Sequence, residues 1–203
     1  MQATFLALGD SYTIGEGVPG DGNWPSQLAA RLRTEGINIR GPRILATTGW
    51  TTDELAAAMD AAALEPPYAL VSLSVGVNNQ YRGRLLDEYR MQFRGLLGRA
   101  VALAGNEAAR VVVVSIPDWG VTPFAAHEER NVAATARAID GFNAVAREEA
   151  VRIGARWVDV AAISRASDSR GELADDGLHP SAAQYARWVE MILPVARAAL
   201  HGG

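Results

Sequence analysis

The sequence predicts an α/β protein with three α/β/α layers, in which helices cover both faces of a parallel sheet of about five strands. Two observations predict it. Short segments rich in β-branched and apolar residues alternate with longer helical segments along the whole chain, which is typical of a doubly wound sheet. The 203 residues also contain no internal repeat, low-complexity linker or composition break, so we expect one domain over residues 1–203.

The strand candidates are short apolar runs, and one of them is apolar on both faces. Val111-Val112-Val113-Val114 has no polar alternation, as expected for a central strand of a parallel sheet. The five predicted strands are Phe5–Leu8, Arg43–Ala46, Ala69–Ser74, Val111–Ile116 and Trp157–Val160.

The helix candidates have recognisable start and stop signals. Pro25 stands in the first turn of one helix, and Gly105 follows the end of another. Because proline removes a helical hydrogen bond, we expect the last helix to break or bend near Pro194. The predicted helices are Trp24–Glu35, Thr52–Leu64, Leu85–Ala104, Asn131–Ile153 and Ala182–Leu200.

Composition excludes several classes of function. Nineteen basic residues against twenty-three acidic ones give a net charge of −4, which argues against nucleic acid or an anionic membrane surface as the main partner. The absence of cysteine excludes disulfides, a thiolate nucleophile and cysteine metal sites. No apolar stretch approaches the roughly 20 residues of a membrane helix, and the N-terminus lacks a signal-peptide pattern. We expect a soluble, cytoplasmic protein without stable membrane insertion.

Polar groups that suit acyl transfer follow the predicted strands. Ser11 follows the first strand, Gly49 the second and Asn78 the third, while Asp176 and His179 precede the last helix. Since ligands bind at the carboxyl ends of strands in such sheets, we expect these groups to converge at one edge. A hydroxyl, an imidazole, a carboxylate and amide donors are what serine-based acyl transfer requires.

These motifs resemble the GDSL-type esterases, also called SGNH hydrolases. Two positions depart from the family pattern, since Tyr12 replaces the usual leucine and Asn79 a common aspartate. The resemblance spans nearly the whole chain and implies the SGNH hydrolase fold, which is flavodoxin-like, and a hydrolase without cofactor or metal. The motifs that carry it are Gly9-Asp10-Ser11, Gly49, Gly76-Val77-Asn78 and Asp176-Gly177-Leu178-His179-Pro180.

The resemblance also implies a role for each matching residue. Ser11 corresponds to the nucleophile, His179 to the general base, and Asp176 to the carboxylate that orients the imidazole. The oxyanion hole corresponds to the backbone N–H groups of Ser11 and Gly49 and the side-chain amide of Asn78. Each motif alone has a plainer reading as a turn or a helix cap.

Side chains beside these motifs are the candidates for substrate binding. They are Asp10, Trp50, Asn79, Tyr81 and Trp119, and Gln80, Arg82 and Phe124 are further candidates for the pocket wall. The aromatic ones fit a small acyl group or a sugar face equally well, and each could instead pack in the core. We expect residues 118–123 to be the specificity loop.

Two other patterns indicate no site. Gly15-Glu16-Gly17-Val18-Pro19-Gly20 fits the dinucleotide fingerprint, but it begins several residues after the strand and no acidic residue ends the second strand. We interpret residues 15–22 as a flexible loop beside the nucleophile. The three histidines lack metal-ligand spacing, and His127 is expected at the surface.

The sequence therefore predicts a serine hydrolase of carboxylic esters, with thioesters and lysophospholipids as further possible substrates. A small-molecule ester of a small or short-chain acyl group is the expected partner. The alternatives are a carbohydrate O-acetyl esterase and, in another class, a non-catalytic flavodoxin-like binding module. The physiological ester and the oligomeric state stay open.

Overall fold

Five parallel strands form the central sheet of the structure, a computed structural model that describes residues 2–166 and 172–201. The strands are β1 Phe5–Gly9, β2 Arg43–Ala46, β3 Leu70–Ser74, β4 Val111–Val114 and β5 Arg156–Val158. Their order is β2-β1-β3-β4-β5. All neighbouring pairs are parallel, and the register places Gly9 beside Ala46 of β2 and Ser74 of β3.

The helices pack in two groups on the sheet, which gives the predicted α/β/α layers. They are α1 Ser11–Ile14, α2 Trp24–Thr34, α3 Thr52–Ala61, α4 Val77–Tyr81, α5 Leu86–Leu103, α6 Pro123–His127, α7 Val132–Ile153, α8 Ala161–Arg165 and α9 Ala182–His201. Helix α2 packs on α9, whereas α5 packs between α3 and α7. The residues of β1, β3 and β4 are all buried, so the centre of the sheet forms the core.

All five predicted strands and all five predicted helices are present, and the differences are at their ends. The fourth strand stops at Val114, and the fifth begins one residue early and stops at Val158. The predicted break near Pro194 is wrong, since α9 runs through Pro194 as one helix. Its buried face, which includes Trp188, Ile192 and Ala196, packs on the core and offsets the one hydrogen bond that proline removes.

Four short α-helices among residues 2–166 and 172–201 were not predicted. Helices α1, α4, α6 and α8 have four or five residues each, too few for a periodic apolar pattern. Two of them, α1 and α4, begin within three residues of the ends of β1 and β3. They therefore place their first turns at the carboxyl edge of the sheet. No helix among the described residues is long and apolar enough to cross a membrane.

Candidate active site

Ser11 is the first residue of α1, directly after β1. Asp10 caps this helix, because its Oδ1 accepts a hydrogen bond from the Tyr12 N–H at 3.1 Å. At the other end, Gly15 adopts a left-handed conformation and its N–H bonds to the Ser11 carbonyl. The short helix is therefore fixed at both ends, and it holds the Ser11 hydroxyl at the end of the central sheet.

Asp176 and His179 lie on a tight loop before α9. The loop is closed by hydrogen bonds from the Ala174 N–H to the His179 carbonyl (2.8 Å) and from the Ser181 N–H to the Glu172 carbonyl (2.9 Å). Within it, Asp176 Oδ1 accepts the N–H groups of Leu178 and His179, both at 2.9 Å. One carboxylate oxygen thus organises the turn, and the other remains for the imidazole.

The structure joins Ser11, His179 and Asp176 in a continuous hydrogen-bonded chain. His179 Nε2 lies 2.9 Å from Ser11 Oγ, and His179 Nδ1 lies 2.6 Å from Asp176 Oδ2. Ser11 and His179 are buried, with 4% and 6% exposure. Both ring nitrogens of His179 have a hydrogen-bond partner. The Asp176 carboxylate therefore fixes which ring nitrogen faces the Ser11 hydroxyl.

The environment of Asp176 favours its ionised form. Partial burial raises the pKa of the carboxyl, but the hydrogen bonds from the His179 side chain and from the backbone of His179 and Leu178 outweigh this effect. The pKa of Asp176 therefore lies below its ordinary value. A carboxylate that stays charged can accept a hydrogen bond from the imidazole over the working range of pH.

Gly49, in the loop after β2, and Asn78, in the first turn of α4, lie at the same cavity as Ser11. Asn78 Nδ2 donates to the Trp50 carbonyl at 2.9 Å, which fixes the orientation of the amide and leaves its second hydrogen for another acceptor. The Gly49 carbonyl accepts a hydrogen bond from Arg82 Nη2 at 2.7 Å. Gly49 has a φ of +84°, a backbone conformation that favours glycine at this position.

Gly76 shapes the turn that leads from β3 into α4. Its φ is +137°, and a Cβ atom here would lie 2.7 Å from the Tyr89 ring. The Tyr89 hydroxyl in turn donates to the Val75 carbonyl at 3.0 Å. This packing requires a residue without a side chain at position 76, and it sets the direction in which α4 presents Asn78.

Ser11, Gly49, Asn78 and His179 line one cavity of about 190 Å³. Its walls are largely apolar. Tyr81 and Trp119 meet edge-to-face with centroids 5.3 Å apart, and Phe124 lies edge-on to Trp119 at 6.3 Å. The remaining lining residues are Tyr12, Thr48, Val77 and Leu178. The cavity thus combines these polar groups with a largely apolar, aromatic lining.

Three of the predicted substrate-binding residues do not line the cavity. Asn79 is fully buried and bonds to Thr52, its Oδ1 to the Thr52 N–H (3.1 Å) and its Nδ2 to Oγ1 (2.7 Å). Asp10 is 1% exposed and caps α1 from inside the turn. Trp50 packs its side chain against the core and contributes its carbonyl to Asn78. None of the three lines the cavity, whereas Tyr81 and Trp119 do.

Sequence reasoning missed four residues of the cavity wall. Tyr12, Thr48, Val77 and Leu178 each stand next to a predicted site residue in the chain, and that adjacency was the available signal. Tyr12 is the most notable, since its ring packs against the His179 imidazole with centroids 4.9 Å apart. Tyr12, which departs from the family pattern, therefore packs directly against the imidazole of His179.

The patterns interpreted as non-sites have structural roles or surface positions. Residues 15–22 follow α1 and include a 3₁₀ turn at Gly20–Gly22, and the Glu16 side chain accepts a hydrogen bond from Thr48. His127 is exposed at the end of α6. Within the described part of the chain, no three histidine, aspartate or glutamate side chains are grouped as metal ligands.

A family match defines the class of the protein, which is a hydrolase. A model of the GDSL-like lipase/acylhydrolase family matches residues 7–187. The chain belongs to this family of esterases, as its motifs indicated. No curated protein sequence matches the chain significantly.

Solved structures with the same fold cover nearly the whole chain. TesA superposes with a TM-score of 0.76 at 23% identity, over 97% of this chain and 99% of that one. A lipase/acylhydrolase from Enterococcus faecalis gives 0.71 at 18% identity, over 95% and 94%. A tryptophan-to-isoleucine variant of Axe2, an acetyl xylan esterase from Geobacillus stearothermophilus, gives 0.71 at 19% identity, over 96% of both chains. The fold is therefore that of SGNH hydrolases.

Proposed function

We propose that this protein hydrolyses carboxylic esters of small or short-chain acyl groups through an acyl-enzyme, with Ser11, His179 and Asp176 as the catalytic triad. The observation that carries the proposal is the continuous chain of hydrogen bonds from Asp176 through His179 to Ser11, which opens into the cavity shared with Gly49 and Asn78. No cofactor enters this chemistry, because the groups present supply the nucleophile, the base and the donors.

The first half of the reaction acylates Ser11. His179 Nε2 accepts the hydroxyl proton while Ser11 Oγ attacks the ester carbonyl carbon, and a tetrahedral intermediate with one oxyanion forms. Asp176 accepts the hydrogen bond of His179 Nδ1–H and stabilises the imidazolium. The imidazolium then gives its proton to the leaving alkoxide, so the alcohol departs and the acyl-enzyme remains.

Water completes the cycle by the same steps. It enters the position of the alcohol, His179 accepts one of its protons, and the hydroxide attacks the acyl carbon. The second tetrahedral intermediate collapses with proton return to Ser11 Oγ, which releases the carboxylic acid. His179 Nε2 lies 2.9 Å from Ser11 Oγ, which is within the hydrogen-bond distance that each proton transfer requires.

We assign three donors to the stabilisation of the oxyanion. They are the N–H groups of Ser11 and Gly49 and the second amide hydrogen of Asn78, since the first is held by the Trp50 carbonyl. Donors already oriented in a largely apolar cavity need little reorganisation during the reaction, and loss of one costs about 3–4 kcal/mol of barrier. The placement of all three residues on one cavity wall supports this assignment.

An O-acetyl esterase acting on carbohydrates is the second candidate. Tyr81, Trp119 and Phe124 line the cavity, and Tyr81, which is 40% exposed, offers a ring on which a sugar can stack. The structural similarity to Axe2, an acetyl xylan esterase, supports including acetylated sugars in any substrate test.

A labelling experiment and a substrate panel test the proposal together. A fluorophosphonate probe should label the protein at Ser11, and Ser11→Ala should abolish both labelling and turnover while thermal unfolding is unchanged. The panel compares p-nitrophenyl esters of rising chain length with acyl-CoA, a lysophospholipid and acetylated xylo-oligosaccharides. An unlabelled, inactive wild type would instead favour a non-catalytic binding module, and preferential release of acetate from the sugars would favour the carbohydrate esterase.

A further inference from the structure

Trp119 separates the candidate active-site cavity from a second, smaller one. The second cavity, of about 10 Å³, has room for about one water and is lined by Pro117, Val121, Thr122, Ser164 and Leu173 among others. Three residues line both cavities: Tyr12, Trp119 and Leu178. They form a shared wall, so the depth of the active-site pocket depends on whether that wall stays closed.

Only one of the three shared residues stands apart from the triad in the chain. Tyr12 directly follows Ser11, and Leu178 directly precedes His179 and donates its N–H to Asp176. Trp119 comes from the loop after β4, and it contributes a large indole that is 3% exposed. Trp119 is therefore the part of the wall that can be changed without altering the immediate neighbours of the triad.

Several contacts hold the indole in place. Trp119 Nε1 donates to Gln80 Oε1 at 2.7 Å, and the ring meets both Tyr81 and Phe124 edge-on. The Arg130 guanidinium lies 5.6 Å from the ring centroid, which is within the range of a cation–π contact. Because contacts on several sides restrain the ring, the wall is a fixed boundary for the substrate.

The loop beneath the indole is equally constrained. Asp118 is completely buried, and its two carboxylate oxygens accept hydrogen bonds from the Gly120 N–H (2.9 Å) and from Arg165 Nε (2.7 Å). At Gly120, a Cβ atom would lie 2.8 Å from Thr135 of α7, so the turn packs tightly on that helix. Backbone movement that would swing Trp119 aside has to break these contacts.

We propose that Trp119 is a specificity-determining residue that limits the length of the acyl chain by closing the pocket toward the second cavity. This inference rests on the proposed esterase function and names its substrate class as short-chain acyl esters. Acyl carbons extend along the aromatic wall until they meet the indole, and longer chains leave their ends in water. Removal of the indole joins the two cavities and lets two or more further methylene groups be buried.

The test measures kcat/KM on p-nitrophenyl butyrate and p-nitrophenyl octanoate, and uses their ratio. A buried methylene contributes about 0.8 kcal/mol, or about fourfold in kcat/KM. Two additional buried methylenes in Trp119→Leu should therefore raise the octanoate-to-butyrate ratio roughly 15-fold over wild type. The ratio is independent of how much of a preparation is folded, so partial loss of stability does not imitate the effect.

Three further variants sharpen the result. Trp157→Leu removes a half-buried tryptophan that lines neither cavity, and its ratio should stay within about twofold of wild type. Val121→Phe in the Trp119→Leu background refills the second cavity from its far side and should return the ratio toward the wild-type value. Trp119→Phe leaves an aromatic ring and should raise the ratio only a few-fold, which keeps the test available if Trp119→Leu does not fold.

The outcomes separate this inference from the proposed function. If wild type hydrolyses p-nitrophenyl butyrate but the Trp119 variants have the wild-type octanoate-to-butyrate ratio, Trp119 does not limit the acyl chain length. If Trp157→Leu shifts the ratio as much as Trp119→Leu, the effect is general loosening and the assignment also fails. If wild type hydrolyses neither ester and resists the fluorophosphonate probe, the esterase function itself is refuted.

Discussion

Substitutions of the two adjacent asparagines in α4 are expected to have opposite effects on catalysis and stability. Asn78 lines the cavity with its amide, whereas Asn79 is fully buried behind it and bonded to the first residue of α3. We predict that Asn78→Ala damages catalysis with little loss of stability, and that Asn79→Ala does the reverse.

The magnitude for Asn78→Ala follows from its two amide hydrogens. Loss of the hydrogen meant for the oxyanion should lower kcat by about 10²–10³-fold, with KM nearly unchanged, because that bond matters most in the transition state. Loss of the other, to the half-buried Trp50 carbonyl, should cost about 1 kcal/mol of stability, or about 2–4 °C in Tm.

The magnitude for Asn79→Ala comes from two buried hydrogen bonds. Removing this side chain leaves the Thr52 N–H at the start of α3 without its acceptor, and Thr52 Oγ1 loses a donor. Two such losses in a fully buried place should cost about 2–3 kcal/mol, which lowers Tm by roughly 4–12 °C. Below the unfolding transition, kcat should stay within a few-fold of wild type.

The assay combines steady-state kinetics on p-nitrophenyl butyrate with thermal unfolding followed by circular dichroism, for both variants in parallel. Kinetics are measured at least 15 °C below the lower Tm, a margin chosen so that both proteins are folded. An Asn79→Ala enzyme that loses 100-fold in kcat while fully folded would refute the reasoning. So would an Asn78→Ala enzyme with normal kcat and raised KM, since this would make Asn78 a ground-state substrate contact.

Three further predictions concern the titratable groups. Asp176→Asn should lower kcat about 10³–10⁴-fold without loss of fold, because an amide does not hold the productive tautomer, while His127→Ala should leave the pH–rate profile of wild type intact. Three arginines hold the pKa of Glu149 at about 2, so Glu149→Gln should cost about 2–3 kcal/mol in urea unfolding at pH 7, and the deficit should shrink as pH falls from 4.5 toward 2. Burial raises the pKa of Asp10 to about 7, so wild type should lose stability relative to Asp10→Asn as pH rises from about 4 to 7. A constant difference between their free energies of unfolding over that pH range would exclude a buried, titrating Asp10.

The larger elements were predictable because their signals are local and repeated. The run Val111–Val114 has no polar alternation, which indicates a buried strand. Apolar residues recur at helical spacing at Leu85, Tyr89, Phe93 and Leu97, which indicates a helix. The short helices lack such repetition, and tertiary contacts decide them. Helix α1 exists because Asp10 and Gly15 fix its two ends, which a pattern of apolar residues does not reveal.

The polar centre of the candidate site was predictable for a different reason. The topology of a parallel sheet brings the residues that follow each strand to one edge, so Ser11, Gly49 and Asn78 had to approach one another once the strands were known. His179 follows no strand, and its motif before the last helix was the signal that placed it with them. Their placement in the structure agrees with this prediction, and their catalytic roles stay predictions. The sequence does not provide the distances from His179 to Asp176 (2.6 Å) and to Ser11 (2.9 Å), which only the structure gives.

Two of the predicted substrate-binding residues that do not line the cavity are direct neighbours of site residues. Asp10 and Asn79 stand next to site residues in the chain, but Asp10 is the N-cap of α1, and within α4 consecutive side chains point about 100° apart. Ser11 and Asn78 face the cavity, whereas Asp10 and Asn79 are directed toward the backbone and the core, where a carboxylate caps a turn and an amide bonds to α3. Tyr12 and Val77, the neighbours on the other side, line the cavity, and the Tyr12 ring packs on His179. Proximity in sequence therefore locates the site, whereas the helical turn decides which neighbour contacts the substrate and which supports the residue that does.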